Sequence, residues 1–525
     1  MGITGKRASA FATLIGAALV LAACTGGGSD DEGSDDTSTE PITFTYAYEQ
    51  EWQAYNTNTA DTNASQNAVP MNRVLTGFWY YAPDGSIAPD EQFGSYEKTS
   101  DDPLTVEYTF ADDAVWSDGE PIDCDDAYLA WYAYHGDGKT FKPASTTGYE
   151  DMQAPDCEDG DKTFTIVYDT PFADWTAMFG YQEILPAHVV EREAKVDDFI
   201  AAVNDNDAKA LEDAGTFWTT GWVFKPGELP NADLIPAAGP YMLDSWESGN
   251  SLTLKANDEY WGEAPQAETV VVRFIASDAQ AQALENGEIQ AMDPQPTPDL
   301  NKQLAAIGDS IVFEPQDQFT FEHYDFQFDG AFGDKRLREA FALCLPRQRI
   351  VDNLIKPDNP DAVVLNSRYY LPFQPEYEEV AAAITPEEYV EQDIDKARQI
   401  LEDANAVGTD LRLGYIIPNP RREDESRLIQ DDCGPDGAGF NVIDEGDKTF
   451  FNGGGALVTG NFDIALFAWT GSPLVTGSSG IYTTDGGSNY GNYSNKEVDK
   501  LTTQLNQTAD PAAQVDLIID IETHL

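Results

Sequence analysis

Basic residues are scarce in this chain of 525 residues: 30 Lys and Arg face 93 Asp and Glu, a formal net charge of −63. That balance excludes nucleic-acid binding, which needs Lys and Arg to displace counterions from phosphates. Attraction to anionic lipid headgroups fails for the same reason. Histidine is rarer still. His135, His188, His323 and His524 are the full set, and no HExxH pair is among them. No GxSxG nucleophile elbow is present. The five cysteines contain no CxxC spacing, which argues against a zinc ribbon or a thioredoxin-type site. Beyond the N-terminal segment no apolar run reaches the roughly 18 residues of a membrane-spanning helix. Gly136 to Thr140 (GDGKT) ends like a P-loop, but Ala133 holds the first glycine position. Gly453-Gly454-Gly455 fails as a dinucleotide fingerprint because Val458 takes the place of the last glycine. Asp156 to Asp161 (DCEDGD) lacks EF-hand spacing and reads as a solvated turn. No metal site and no cofactor is expected, and the chain is not read as an enzyme. A secreted hydrolase or a surface-assembly protein is the alternative class.

What the chain has is a core. Apolar residues make up 41% and aromatics 11%, too much for a disordered acidic polymer. The length predicts two or three domains. The acidic surface disperses a soluble protein, above all in salt, where self-repulsion is screened. Attraction of a cationic ligand is its sharper reading.

At the N-terminus, Lys6 and Arg7 precede an apolar stretch from Phe11 to Ala23, the length of a signal-peptide h-region. It runs into Leu21-Ala22-Ala23-Cys24, which resembles a bacterial lipobox. That resemblance implies a signal peptide over 1–23, cleavage before Cys24 and lipidation of that cysteine. Thr25 to Glu40 holds six acids and no large apolar residue, a self-repelling tether. Its reach is at most roughly 55 Å. The folded part is therefore expected to begin near Pro41, outside the cytoplasmic membrane. Four further cysteines in an exported chain predict two disulfides out of three possible connectivities. Cys124–Cys157 with Cys344–Cys433 keeps each bridge inside one sequence region.

Strands are predicted at Thr43 to Glu49, Leu104 to Phe110, Thr163 to Asp169 and Phe462 to Trp469. A hairpin turning at Glu247 to Asn250 and a buried strand at Thr269 to Ile275 follow the same logic. Ser277 with Gln280 fits a capping box, and Gly287 a helix stop. Leu337, Ala340, Phe341 and Cys344 make one helical stripe, and Ile394, Ala397, Leu401 and Ala404 another. Asp510-Pro511 opens a last helix. The class is α/β or α+β.

Several stretches together resemble the extracytoplasmic solute-binding proteins of peptide importers, the oligopeptide- and dipeptide-binding family. They are Val115-Trp116-Ser117-Asp118-Gly119-Glu120-Pro121 with Asp125-Asp126; Gly239-Pro240-Tyr241 with Asn257 to Gly262; Ala283 to Ile289; Asp334 to Ala340 with Arg347; and Asn489-Tyr490 to Asn495 with Val498-Asp499. Most of these residues read as structural. Arg336 and Arg338 are expected to pair with carboxylates, and Tyr260 and Trp261 to sit in the core. The resemblance implies an α/β, two-lobed periplasmic-binding-protein fold (type II, cluster C) with an extra domain inserted in the first lobe. The first lobe would comprise 41–84, 220–299 and, apparently truncated, 505–525. The extra domain would be 85–219 and the second lobe 300–504, after the lipidated Cys24 and tether at 24–40. The implied role is that of a lipid-anchored, monomeric subunit of an ATP-binding-cassette importer. It would hand a peptide, or an oligosaccharide, opine or metal chelate, to a permease.

The ligand would lie between the lobes. Members of the family commonly place an acid for the ligand ammonium after a Gly-Trp pair, and the matching stretch, Phe467 to Pro473, has none. Trp469 and Thr470 are expected to wall the site. Asp485 is expected in the amine role, with Asn489 and Tyr490 adjoining. From the first lobe Tyr48, Glu49, Glu51, Tyr55 and Asn56 follow a strand, where ligand groups gather. Asp329 stands where the family often has Asn and would favour a cationic group.

Overall fold

The computed structural model describes residues 41–83, 85–136, 140–294, 296–313, 319–357, 359–386, 389–452, 454–471 and 473–525. The signal segment, Cys24 and the tether lie outside the described residues, as do Asp137 to Lys139 of the P-loop-like stretch and Gly453.

The alternating residues near Pro41 form the strand Thr43–Tyr48 inside a five-stranded mixed sheet. It pairs in parallel with Thr269–Phe274, in register from Thr43↔Thr269 to Tyr48↔Phe274, and on its other edge with Ala291–Met292. The expected hairpin completes the sheet. Tyr241–Glu247 and Ser251–Ala256 run antiparallel and turn at Gly249, whose φ of +67° suits glycine. Thr269–Phe274 is not buried on both faces as its composition predicts. Val270 and Val272 point into the core, and the intervening residues are half-buried, because only one face of this sheet is covered there. Ser277–Glu285 forms the expected helix, but Ala276 occupies its N-cap and no side chain caps it. Gln280 is buried and donates to the Ile275 carbonyl at 2.8 Å instead of closing a capping box.

A second, four-stranded sheet has the order Thr320–Phe326, Ile464–Thr470, Asp410–Ile416, Asn441–Asp447. Ile464–Phe467 are buried at four consecutive positions, the pattern of a strand covered on both faces. The helices Lys335–Cys344, Ile394–Asp403 and Pro420–Cys433 contribute Leu337, Phe341, Leu401 and Ile429 to a core shared with Leu413 and Ile464 of the sheet. Cys344 is bonded to Cys433, which ties two of these helices together.

A three-stranded antiparallel sheet, Gly94–Asp101, Leu104–Phe110 and Thr163–Val167, lies within 85–219. Leu104, Val106, Tyr108 and Phe110 alternate inward and meet Phe164 and Ile166, with the Tyr108 and Phe164 rings stacked at 4.9 Å. Its core is continuous with Leu254, Val270 and Val272 of the five-stranded sheet. Burying such side chains is worth roughly 1.5–3 kcal/mol each. The family-like residues here are structural. Asp126 on the helix Cys124–His135 is fully buried and accepts from Trp116 Nε1 at 3.0 Å and from the Ala187 amide at 2.8 Å. Cys124 is bonded to Cys157. Gly239 is pressed against the chain at Arg73, whose carbonyl oxygen would stand 2.6 Å from any added Cβ.

Asp510 caps the last helix, Pro511–His524, with Pro511 in its first turn. The family resemblance implies that 505–525 belongs to the first lobe. Here Ile518 and Ile521 pack against Tyr377 and Val380 of the helix Tyr377–Ile384 and against Val498 and Leu505 of the helix Lys496–Asn506. Of those partners Tyr377, Val380 and Val498 fall within 300–504, and Leu505 within 505–525 itself. Arg336 pairs with Asp334, whereas Arg338 donates to the Phe332 carbonyl at 2.6 Å and lies over the Phe328 ring.

Candidate functional site

The Thr43–Tyr48 and Ile464–Thr470 strands both end at a cavity of about 1270 Å³. Ordinary small-molecule sites are roughly 300–1,000 Å³. Tyr46, Tyr48, Glu49 and Asp61 line one side of it, and Phe467, Trp469, Thr470 and Tyr490 line another. Trp79, Tyr134 and Tyr181 enter from the segment carrying the three-stranded sheet. Hydrogen bonds join the sides. Tyr490 Oη donates to the Ala60 carbonyl at 3.2 Å, and Gln53 Nε2 donates to Asn452 Oδ1 at 3.1 Å.

Strand pairing fixes the aromatic wall. Phe321 stands opposite Trp469 in the antiparallel register. The Trp469 indole is nearly parallel to the rings of Tyr490 (6.2 Å) and His323 (6.1 Å), an offset stack that holds it flat. Among the described residues, the indole nitrogens of Trp469 and Trp79 and the Tyr134 hydroxyl are buried without hydrogen-bond partners, and all three residues line the cavity. Buried donors of this kind are normally satisfied.

Acids are placed unevenly around the wall. Glu49, Asp61, Asp174, Glu183 and Asp293 all contribute. Glu183 accepts from the Tyr149 hydroxyl at 3.0 Å and from the Gly180 amide at 2.6 Å. Burial outweighs those bonds and pushes its carboxyl up to about 7. Asp174 accepts from the Thr476 amide at 2.9 Å and is raised by burial. Burial likewise raises the Tyr46 and Tyr490 hydroxyls to about 12, so both stay neutral near pH 7. Among the cations, Arg422 is bound to Glu322 at 2.7 Å behind the wall. Arg368 also lines the cavity, and its Nε and Nη1 are buried without partners among the described residues.

The cavity brings together Tyr48, Glu49, Trp469, Thr470 and Tyr490 of the residues expected at a ligand site. The structure does not bring the others to that wall. Glu51 accepts from Trp246 Nε1 at 2.9 Å and the Gly249 amide at 3.0 Å, bracing the hairpin. Tyr55 is fully buried, with its hydroxyl on the Pro236 carbonyl. Asn56 donates to the Trp218 carbonyl at 2.8 Å and accepts from the Asn58 amide, shaping the loop that presents Asn58. Asp329 is exposed and accepts from Asn492. Asp485 is exposed on a loop with a left-handed φ of +63°. Asn489 clasps its own loop, donating to the Thr483 and Tyr493 carbonyls. In place of Asp485, acids from other segments reach the cavity. Asp61, Asp293, Tyr46 and Arg368 were not anticipated. The one signal for Arg368 was a cation between Ser367 and two tyrosines in an acidic chain.

Among the described residues, Asp123, Asp125 and Asp159 bring carboxylate oxygens within 4.8 Å of one another, away from the cavity wall. Burial pushes Asp125 up, toward the protonated form.

Residues 79–492 match the family model of bacterial extracellular solute-binding proteins, family 5. The chain belongs to this family. Family 5 members are the solute-binding proteins of ATP-binding-cassette importers, extracytoplasmic binders rather than enzymes. An uncharacterized lipoprotein of Mycobacterium tuberculosis is 30% identical over 541 residues, covering 99% of this chain and 89% of that one. The oligopeptide-binding protein OppA of the same species is 26% identical over 478 residues, covering 87% and 75%. Among solved structures, the periplasmic EDTA-binding protein EppA superimposes with a TM-score of 0.74 at 22% identity, covering 94% and 91%. The fold is thus the family 5 solute-binding fold. No helix among the described residues is long and apolar enough to cross a membrane.

Proposed function

We propose that this family 5 protein captures peptides in the cavity and delivers them to the permease of an importer. Lipid on Cys24 would hold it at the outer face of the cytoplasmic membrane as a monomer. The observation that carries the reading is the wall itself. It combines acids at the end of the first sheet, suited to an ammonium, with flat aromatic surfaces and indole donors lacking acceptors. A peptide offers an ammonium, a row of carbonyl acceptors and variable side chains that a roomy cavity tolerates. The likeness to OppA, named for oligopeptide binding, agrees. Nothing in the cavity is assigned a chemical step, so specificity is differential affinity of the closed state.

A second reading keeps the transport role for a non-peptide solute such as a chelate, and is favoured by the likeness to a protein named for binding EDTA. Native mass spectrometry of the mature protein mixed with tri- to hexapeptides, and separately with metal chelates, decides between them. One-to-one peptide adducts support the first reading. Adducts with chelates alone reject it.

A further inference from the structure

Arg368 is unusual for this molecule. The chain has about three acids for each base, and most of its arginines lie beside carboxylates, as Arg336, Arg412, Arg421, Arg422 and Arg427 do. Arg368 has no carboxylate within ion-pair distance among the described residues, and its Nε and Nη1 are buried without an acceptor. A guanidinium carries five donors and cannot shed its charge. Leaving it so costs free energy unless something else supplies the oxygens.

The surroundings fix this side chain without neutralising it. Its carbon lies over the rings of Tyr482 at 4.5 Å, Tyr369 at 4.8 Å and Phe321 at 5.8 Å. Both tyrosines are raised by burial and stay neutral, so their ring faces and the hydroxyls that hydrogen-bond to the Arg368 side chain supply no counter-charge. The backbone is pinned as well. Glu522 accepts from the Ser367 hydroxyl at 2.6 Å and from the amides of Arg368 and Tyr369. That carboxylate orients the loop and also feels the Arg368 charge, which works against the burial that raises it. The held guanidinium lines the main cavity and also a side chamber of about 250 Å³, whose wall includes two acids, Asp325 and Glu522, besides Tyr324, Asn489 and Tyr493.

We infer that Arg368 is the carboxylate-binding residue of the cavity: it receives an anionic carboxylate of the solute, in the space where the main cavity meets the side chamber. A carboxylate matches the guanidinium fork with two parallel hydrogen bonds. This rests on the reading of the cavity as the solute site and adds that the solute has a free carboxylate. For a peptide that group is the C-terminus, so a C-terminal amide is rejected.

The test compares two tripeptide pools, one with free C-termini and one amidated, against the mature protein by native mass spectrometry and calorimetry. A thermal-shift panel of acetate, succinate, citrate and EDTA runs beside them. Charged hydrogen bonds of this strength predict a loss of about tenfold or more in affinity on amidation. Arg368→Gln is expected to lose the preference for free acids and the stabilisation by the carboxylate panel, while Arg368→Lys keeps part of both. The acid-versus-amide comparison needs no variant, so a variant that fails to fold does not spoil it. Amides that bind wild type as tightly as acids overturn the inference, as does an Arg368→Gln protein that binds acids with unchanged affinity. If neither pool binds, the peptide reading fails. The carboxylate panel then decides Arg368 alone: stabilisation of wild type lost in Arg368→Gln supports it, and no stabilisation of wild type overturns it.

Discussion

Replacing Glu322 and Glu425 by glutamine, singly and together, perturbs a buried ionic cluster behind the cavity wall. Glu322 meets Arg422 Nε at 2.7 Å and Arg421 Nη2 at 3.1 Å. Glu425 lies 3.7 Å from Arg421 Nε and accepts from the Tyr324 hydroxyl at 2.6 Å. Burial alone would raise Glu322, but the two guanidiniums outweigh it and hold Glu322 below the ordinary carboxylate range. Burial and the Glu322 charge push Glu425 well above that range. Near neutral pH the cluster therefore holds two cations, one carboxylate and one protonated acid. Removing the charge of Glu322 removes the repulsion that keeps Glu425 protonated, and Glu425 ionises in its place. Glu322→Gln then costs only about 1–2 kcal/mol, the scale of charged hydrogen bonds lost. Glu425→Gln replaces a neutral acid and costs about 1 kcal/mol. The double variant leaves both arginines without a counter-charge, a loss of about 3–5 kcal/mol. Urea unfolding of the four proteins at pH 7, followed by tryptophan fluorescence, closes the cycle. With central values of about 4 kcal/mol for the double and about 2.5 kcal/mol for the sum of the singles, an excess of about 1.5 kcal/mol is expected, and additivity within about 0.5 kcal/mol would refute the charge transfer between the two acids.

Trp469→Ala removes the flat wall and is expected to weaken solute binding about tenfold or more in calorimetry, the scale of a buried aromatic anchor. Asp485→Asn, on an exposed loop away from the wall, is expected to leave affinity unchanged. Denatured, unreduced mature protein should show no thiol at Cys124, Cys157, Cys344 or Cys433, and four after reduction. The sequence separations of 33 and 89 predict that losing Cys344–Cys433 costs more, about 4–5 against about 3–4 kcal/mol. Glu183 binds its proton more tightly folded than unfolded, so stability falls as pH rises from the ordinary glutamate range to about 7. Glu183→Gln should flatten that decline by up to about 3 kcal/mol in denaturant midpoints taken at pH 4.5 and 8; an unchanged slope would show that Glu183 is not the group.

Where periodicity was strong, the sequence was readable. Leu104 to Phe110 alternates and forms a strand with those bounds, and the Leu337 to Cys344 stripe is the buried face of its helix. Chemistry at strand ends was readable for the same reason. Tyr48, Glu49 and Trp469 reach the cavity because strand geometry carries them to it. The rest depended on distant partners. Glu51 looks like a ligand acid until Trp246, 195 positions on, claims it. Tyr55 and Asn56 sit in the same run of aromatics and acids as Tyr48, but their polar atoms are taken by carbonyls from the Trp218 to Pro236 region. Arg368 could be valued only once its missing counter-ion was visible. The net charge, the strongest feature of the composition, is spread over the molecule and does not identify the solute.

The central claim, that this cavity holds peptides, is tested most directly by isolating the mature protein from its own cells, denaturing it and identifying the released solute by mass spectrometry. The expected result is a set of short peptides with free C-termini, near one mole per mole of protein, absent from Trp469→Ala prepared in parallel. Recovery of an oligosaccharide or a metal chelate in their place would contradict it.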